Sequence, residues 1–276
     1  MHPKALLERY GYKPKKRFGQ NFLMDAGAAA RIAHLVVEGS PDGEPFRVLE
    51  IGPGTGALTH ALLQSHADVS ALDVDPDMVR ILRSRDDLKG AHVIEADALT
   101  FDYAAFAHGG AWRVTGNLPY NIATPLVMQF IEMQSGPQRL VVMVQKEVAD
   151  RFAARPGTAA YGSLSVAVQY AMDVEKAFTL KPGAFYPRPK IDSTVVRLTR
   201  RSRPAVDVRD ERRFLQVVRA AFAYRRKTLA NSLFLALGTP RAATAQALAE
   251  LGLDTETRGE QLALADFARL ADRLSA

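Results

Sequence analysis

Phe46-Arg47-Val48-Leu49-Glu50-Ile51-Gly52-Pro53-Gly54-Thr55-Gly56 is the stretch whose reading decides the fold. Phe46 to Ile51 has the pattern of a strand, the glycines that follow form a turn, and Ala57 to Leu63 has helical spacing. Strand, glycine-rich turn and helix open a nucleotide-binding βαβ unit. Glycines there let the backbone approach a ligand closely. Gly52, Gly54 and Ala57 also satisfy the relaxed dinucleotide pattern G-x-G-x-x-G/A. The turn alone therefore leaves a dehydrogenase and a methyltransferase both open, and a purely structural turn as well.

Working outward, Asp68 to Asp73 reads as the second strand. Asp73 lies roughly 20 residues beyond the glycine turn, where an acid can take the ribose hydroxyls of an adenosine. Asp75 is its neighbour, better placed to cap a helix that starts at Pro76. Ala91 to Glu95 is the third strand, and Asp97 just after it can accept from an adenine amine or simply shape a turn. Trp112 to Thr115 is a short buried strand, broken by Gly116-Asn117-Leu118-Pro119-Tyr120. In open α/β sheets ligands bind at the carboxyl ends of the strands. Asn117 there offers an amide acceptor and two donors, and Tyr120 a flat face for stacking a base. That pair suits an aromatic amine held by its edge and its face.

A helix is expected near Thr124 to Glu132, a buried fifth strand over Arg139 to Gln145, and a helix opening at Lys146. Arg155 to Ser163 reads as a mobile loop, and Ser163 to Tyr170 as ordered. Val174 to Leu180 and Ser193 to Leu198 make two more strands. The proline-stiffened loop between them presents Phe185, Tyr186, Arg188 and Lys190 either to a nucleic acid or, for its aromatics, to the core. Arg200 to Pro204 reads as a linker, dividing a domain of residues 1–203 from a helical domain of residues 204–276. In the latter, helical spacing from Asp210 onward is interrupted by Arg225-Arg226-Lys227, a solvated face or a phosphate clamp. Helices are expected over Ala242 to Leu251 and Leu262 to Leu274.

The amino end, Met1 to Arg17, is polar and basic, with Lys13, Lys15, Lys16 and Arg17 crowded together. It reads as a solvated tail or as a flexible arm that contacts phosphates. Phe18-Gly19-Gln20-Asn21-Phe22-Leu23 follows, and Asp25 is placed to cap a helix through Ala28, Ile32 and Leu35.

Composition narrows the function classes. The 276 residues carry a formal charge of +6, which favours a polyanionic partner only where a motif agrees. There are no cysteines, which removes disulfides, thiolate catalysis and Cys-ligated zinc. The six histidines show no metal spacing, so no metal site is expected. No apolar run reaches membrane-spanning length and Met1 to Arg17 has no apolar signal region, so no membrane role and a cytoplasmic location are expected. Nothing in the sequence calls for more than a monomer.

Taken together the motifs resemble the ribosomal RNA adenine N6,N6-dimethyltransferases of the small-subunit family. The resemblance rests on Lys16 to Leu23, Glu50 to Gly56, Gly116 to Tyr120, Gln145 to Val148, Tyr161 to Val166, Pro187 to Ser193 and Arg225 to Leu229, in that order along nearly the whole chain. It implies an α/β class I S-adenosylmethionine-dependent methyltransferase fold, Rossmann-like with a seven-stranded mixed sheet, and a small all-helical C-terminal domain. It implies S-adenosylmethionine as cofactor, touched by Asn21, Leu23, Gly52, Gly54, Asp73, Asp97 and Asn117. It assigns the chemistry to Asn117, Leu118, Pro119 and Tyr120, and RNA binding to Tyr120, Phe185, Arg188, Lys190, Arg225, Arg226 and Lys227. The implied partner is small-subunit rRNA within an immature 30S particle. One departure stands out: the family usually has Glu where this chain has Asp73, a side chain one methylene shorter.

Three other readings are weighed beside it. A large-subunit rRNA adenine methyltransferase of the resistance type shares the fold and a related turn. A nicotinamide dehydrogenase fits the glycine turn but gives Asn117 to Tyr120 no role. A mainly non-catalytic ribosome assembly factor would use the same RNA-binding surface.

Overall fold

The computed structural model describes residues 3–39, 46–108, 110–119 and 121–274, and of Lys16 its backbone alone. The chain begins with α1 (Pro3–Arg9), β1 (Phe22–Leu23), α2 (Ala26–Val37), β2 (Arg47–Ile51), α3 (Ala57–Gln64), β3 (Asp68–Asp73) and α4 (Pro76–Arg83). It continues through β4 (His92–Glu95), α5 (Tyr103–Ala107), β5 (Trp112–Asn117), α6 (Ala123–Glu132), β6 (Arg139–Gln145), α7 (Lys146–Phe152) and α8 (Ser163–Ala171). Then come β7 (Met172–Leu180), β8 (Phe185–Tyr186), β9 (Ser193–Arg200), α9 (Glu211–Ala221), α10 (Leu229–Leu237), α11 (Arg241–Glu250) and α12 (Leu264–Arg273).

Seven strands form one mixed sheet in the order β4-β3-β2-β5-β6-β9-β7. The β4-β3, β3-β2, β2-β5 and β5-β6 pairs are parallel and β6-β9 is antiparallel. The central strands are apolar and buried because helices cover both faces of a parallel sheet; Val48, Leu49, Val69, Val114 and Leu140 through Val144 are at most 2% exposed. From β2 the chain steps outward through β3 to β4, then returns to the other side of β2 with β5 and β6. The order reverses between β2 and β5, and such a switch point leaves a crevice at the strands' carboxyl ends. This is the seven-stranded, mixed, Rossmann-like sheet expected.

Local capping explains several helix starts. Asp25 accepts from the Ala28 N–H at 2.9 Å, Asp75 accepts from the Asp77 N–H at 3.1 Å, and Asp210 accepts from the Arg213 N–H at 3.1 Å. Each such cap is worth about 1 kcal/mol against alanine.

The amino end differs from the tail or arm expected. Residues 3–9 form α1, and Leu6 and Leu7 bury themselves with Phe22, Met78 and Ile81. Burying two leucines contributes about 1.5–3 kcal/mol each, which the charge pattern concealed. Lys15, one of the crowded cations, is engaged by Asp75 and Asp77 and so is not offered to phosphates. Lys13 and Arg17 are exposed. Gly116 and Asn117 also differ: they complete β5 rather than break it. Gly116 sits at φ +150°, and a Cβ there would lie 2.2 Å from the Ile51 carbonyl oxygen, so only glycine lets β5 pass so close to the end of β2.

The chain divides into two compact units, Met1–Ala149 with Val174–Arg200, and Asp150–Asp173 with Arg201–Ala276. The second unit is a helical cluster whose core includes Phe214, Val217, Leu229, Leu233, Leu248 and Phe267. Residues 150–173, which the linker-based reading assigns to the first domain, join this unit because Tyr161, Val166 and Tyr170 share that core. The 155–163 stretch is correspondingly tied down rather than loose. Gly157 N–H donates to the Glu260 carbonyl at 2.8 Å, and the buried Tyr161 hydroxyl donates to the Leu262 carbonyl at 2.9 Å.

Candidate active site

An open cleft runs along the carboxyl ends of the parallel strands. Its walls include Asp97 after β4, Asp73 at the end of β3, Gly52 and Gly54 after β2, Asn117 at the end of β5 and Met143 in β6. Five adjacent strand ends span about 19 Å at roughly 4.8 Å per strand. Residues Phe18 to Leu23 of the amino-terminal segment close one side.

The glycine turn makes room in this cavity. Gly52 has φ +66° and Gly54 φ +55°, conformations that favour glycine, and a Cβ on Gly54 would lie 2.7 Å from the Phe22 ring. The turn thus brings backbone, not side chain, to the cavity surface. It leads into α3, whose amino terminus carries a partial positive charge.

Two acids sit in the wall. Asp73 is 9% exposed and its Oδ1 accepts the Asp75 N–H at 2.9 Å. Burial pushes its carboxyl up to about 6, against the pull of that N–H. Glu50 is 2% exposed and its Oε2 accepts the Thr59 hydroxyl at 2.6 Å. Burial raises Glu50 to about 7, opposed by the Thr59 hydrogen bond and reinforced by the charge of Asp73. Buried carboxyls of raised pKa in a cleft mark a functional-site candidate, one that attracts a cationic ligand. Sequence reasoning reads Glu50 only as the end of a strand. The signal was available, since an acid inside an apolar strand that meets a glycine turn has to face something polar.

Asp97 is exposed at the cavity's far strand end, and its Oδ1 accepts the Leu99 N–H at 2.9 Å. It is thus both a turn-former and a cavity wall. Asn117 is half-buried, and its side-chain Nδ2 donates to the Asn21 backbone carbonyl at 2.8 Å. The planar amide then turns Oδ1 away from Asn21. Asn21 lines the cavity with Leu23, and its own side chain donates to the Gly19 carbonyl at 2.9 Å.

A second, smaller cavity adjoins the first, sharing Gly19, Asn21, Asn117 and Pro119 with it. Leu118, Phe185, Pro189 and Ser193 complete its walls. Leu118 is buried, and its N–H donates to the Met143 carbonyl at 3.0 Å, which fixes the turn to β6. Tyr120, expected beside Asn117, lies outside the described residues.

Phe185 is only 1% exposed, which bears out the core reading of this aromatic and corrects its assignment to surface RNA binding. Phe185 and Tyr186 form β8, which pairs antiparallel with β1 through Leu23↔Phe185 and Phe22↔Tyr186. That pairing draws the ring inward, beside Asn117 instead of outward. A two-strand ladder between segments so far apart in sequence leaves no local signal to read. Arg188 and Lys190 in the same loop are exposed. In the helical unit Arg225, Arg226 and Lys227 are exposed in the turn between α9 and α10, with Arg225 Nη2 donating to the Ala159 carbonyl at 3.0 Å.

Among the described residues no group of His, Cys, Asp and Glu could hold a metal ion, and no helix is long and apolar enough to cross a membrane.

The cavity presents a buried acid, a glycine backbone surface and a polar turn arranged in a row. Comparison with known proteins gives the family. A family model described as "Ribosomal RNA adenine dimethylase" matches residues 11–276. The chain is 44% identical over 272 residues to "Ribosomal RNA small subunit methyltransferase A" of Magnetococcus marinus, across 98% of this chain and 95% of the relative. A protein of the same name from Enterococcus faecalis is 40% identical over 280 residues, across 98% of this chain and 94% of the relative. The crystal structure of a dimethyladenosine transferase from Plasmodium falciparum matches with TM-score 0.74 at 26% identity, covering 90% of this chain and 95% of that one. The crystal structure of the 23S rRNA methyltransferase ErmE matches with TM-score 0.70 at 27% identity, covering 93% of this chain and 100% of that one.

Proposed function

The chain belongs to the ribosomal RNA adenine dimethylase family, and from that premise we propose that it transfers methyl groups from S-adenosylmethionine to N6 of two adjacent adenosines in a hairpin loop near the 3′ end of small-subunit (16S) rRNA. The product is N6,N6-dimethyladenosine, formed in the cytoplasm within an immature 30S particle. The observation that carries the reading is Asn117, whose amide nitrogen is held by Asn21 while its side chain lines both cavities.

When bound, S-adenosylmethionine supplies an electrophilic sulfonium methyl group. The lining of the larger cavity suits it: Asp73 would hold the ribose hydroxyls and Asp97 the adenine amine, and Gly52, Gly54, Asn21 and Leu23 would line the rest. Asp73 brings negative charge to a cationic molecule, and a cation bound nearby would draw the raised Glu50 carboxyl toward its charged form.

The difficulty lies with the nucleophile, because the lone pair of an adenine amine is delocalised into the ring. Asn117 Oδ1 and the Leu118 carbonyl accept from N6–H, favour a pyramidal amine and aim its lone pair toward the larger cavity. In-line positioning of this kind contributes several kcal/mol, with an upper range of about 7–11. Pro119 stiffens the turn. Phe185 walls the smaller cavity, and Tyr120 stacks on the flipped base, offsetting part of the few kcal/mol spent unstacking it. Arg188, Lys190, Arg225, Arg226 and Lys227 contact phosphates. The unit of residues 1–149 and 174–200 carries the chemistry, and the helical unit of residues 150–173 and 201–276 serves RNA binding.

The small-subunit relatives, at 40–44% identity, favour this reading over the large-subunit alternative, whose solved representative is 27% identical. Incubation with labelled S-adenosylmethionine and, separately, unmethylated small and large ribosomal subunits tests it, with the label mapped by mass spectrometry. Dimethyladenosine in small-subunit RNA is the expected result. Label in the large subunit alone, or in neither, overturns the reading.

A further inference from the structure

We propose that Asp75 is a positioning residue for the transfer: its buried carboxylate gathers the amino-terminal segment onto the end of β3, so that one hydrogen-bonded chain holds both Asp73 and Asn117. The inference rests on reading the larger cavity as the methyl-donor site.

The Asp75 side chain has no exposed surface. Its Oδ1 accepts from Lys15 Nζ at 2.7 Å and from the Asp77 N–H at 3.1 Å. Its Oδ2 accepts from the Tyr12 hydroxyl at 2.5 Å and from Gln20 Nε2 at 3.1 Å. A helix cap needs one of these bonds; the other three come from a segment more than 50 residues away in sequence. Gln20 is held at both ends of its amide, because its Oε1 also accepts the Lys15 N–H at 2.8 Å and lies 2.8 Å from the Tyr12 hydroxyl, whose single proton is shared between Gln20 and Asp75. Gln20 lines the cavity, and the next residue, Asn21, supplies the carbonyl that holds Asn117. In the other direction the Asp75 N–H donates to Asp73. The chain of contacts therefore runs Asp73, Asp75, Gln20, Asn21, Asn117, from the ribose end of the cavity to the turn at the end of β5. A buried carboxylate with this many donors is costly to leave partly unsatisfied, which makes the arrangement well determined.

Burial works to raise the Asp75 carboxyl, but the bonds from Lys15 and Tyr12 outweigh it and hold the group below the usual carboxylate range. It stays charged through the neutral range, so the clamp does not loosen there.

The test uses the full chain with Asp75→Asn, which keeps an N-cap oxygen and the N–H to Asp73 but gives up the charge and one acceptor. The readouts are S-adenosylhomocysteine affinity by calorimetry, kcat and KM on unmethylated small-subunit particles, and hydrogen exchange. At least tenfold weaker binding, a kcat at saturating cofactor at least fivefold lower, and faster exchange confined to residues 12–23 are expected. A second variant, Tyr12→Phe with Lys15→Met, removes two donors and leaves Asp75 in place; it is expected to move the same readouts in the same direction. It decides alone if Asp75→Asn does not fold. Binding and kcat within twofold of the unaltered protein overturn the proposal, as does faster exchange spread through β2 and β6, the mark of a merely structural role. Failure of the unaltered protein to bind S-adenosylhomocysteine overturns the reading of the cavity itself, and is told apart by that control.

Discussion

The Asn117 side-chain nitrogen donates to the Asn21 backbone carbonyl at 2.8 Å, joining the end of β5 to the amino-terminal segment that walls the cavity. The contact fixes which end of the amide faces Asn21, because a carbonyl oxygen in that place would repel its neighbour. Asn117→Asp puts a carboxylate there instead. It leaves the Asn21 carbonyl unpartnered, and a loss of about 1–3 kcal/mol in stability is expected. Thermal unfolding and cofactor binding check this; a substituted protein as stable as the original contradicts the role given to the contact.

Asp73 is expected to hold the cofactor without holding up the fold. A hydrogen bond to a charged group is worth about 1.5–3 kcal/mol, and each 1.4 kcal/mol is tenfold in affinity. Asp73→Asn, which gives up the charge and one acceptor, should therefore weaken S-adenosylhomocysteine binding by roughly tenfold or more. Its melting temperature should change little, because the amide oxygen still accepts the Asp75 N–H and a buried charge is removed. Calorimetry and thermal unfolding on the same preparation separate the two effects.

The sheet was legible because its strands are short apolar runs bounded by glycine, proline and aspartate, as Arg139–Gln145 shows. Asp73, Gly52, Gly54 and Asn117 were legible because each stands at a strand end, where a doubly wound sheet places its ligand. What escaped reading was long-range. The burial of Phe185 depends on pairing with Leu23, and the burial of Leu6 and Leu7 depends on α4. Neither partner is near in sequence. The membership of Tyr161 and Tyr170 in the helical core is likewise invisible until α9 arrives beside α8.

Stability without ligand should fall from pH 5 to pH 8. Glu50 and Asp73 have raised carboxyls, at about 7 and about 6, so their contribution is full below their ordinary values near 4 and is lost as pH rises through 6 and 7. Asp75 is lowered, and its contribution is lost only in acid, below this window. The Glu50 shift from 4.5 corresponds to on the order of 3 kcal/mol. Glu50→Gln should flatten the decline, and parallel melting curves for the two proteins across the window would contradict the burial argument.

Arg225, Arg226 and Lys227 should contribute to RNA affinity through charge. Replacing all three by alanine should leave cofactor affinity unchanged and reduce the steepness of the salt dependence. Each lost phosphate contact removes about 0.7–0.9 from the slope of log K against log salt. An unchanged slope would show that this turn does not meet RNA.

The most direct test of the central claim is single-turnover methyl transfer by Asn117→Ala to unmethylated small-subunit particles at saturating cofactor. With cofactor raised until it saturates the variant, the account predicts a first transfer slower by roughly a hundredfold or more, the scale of losing one well-placed catalytic hydrogen bond. First and second transfers both at near-original rates would contradict it, because the turn at the end of β5 would then not be where the adenine amine is held.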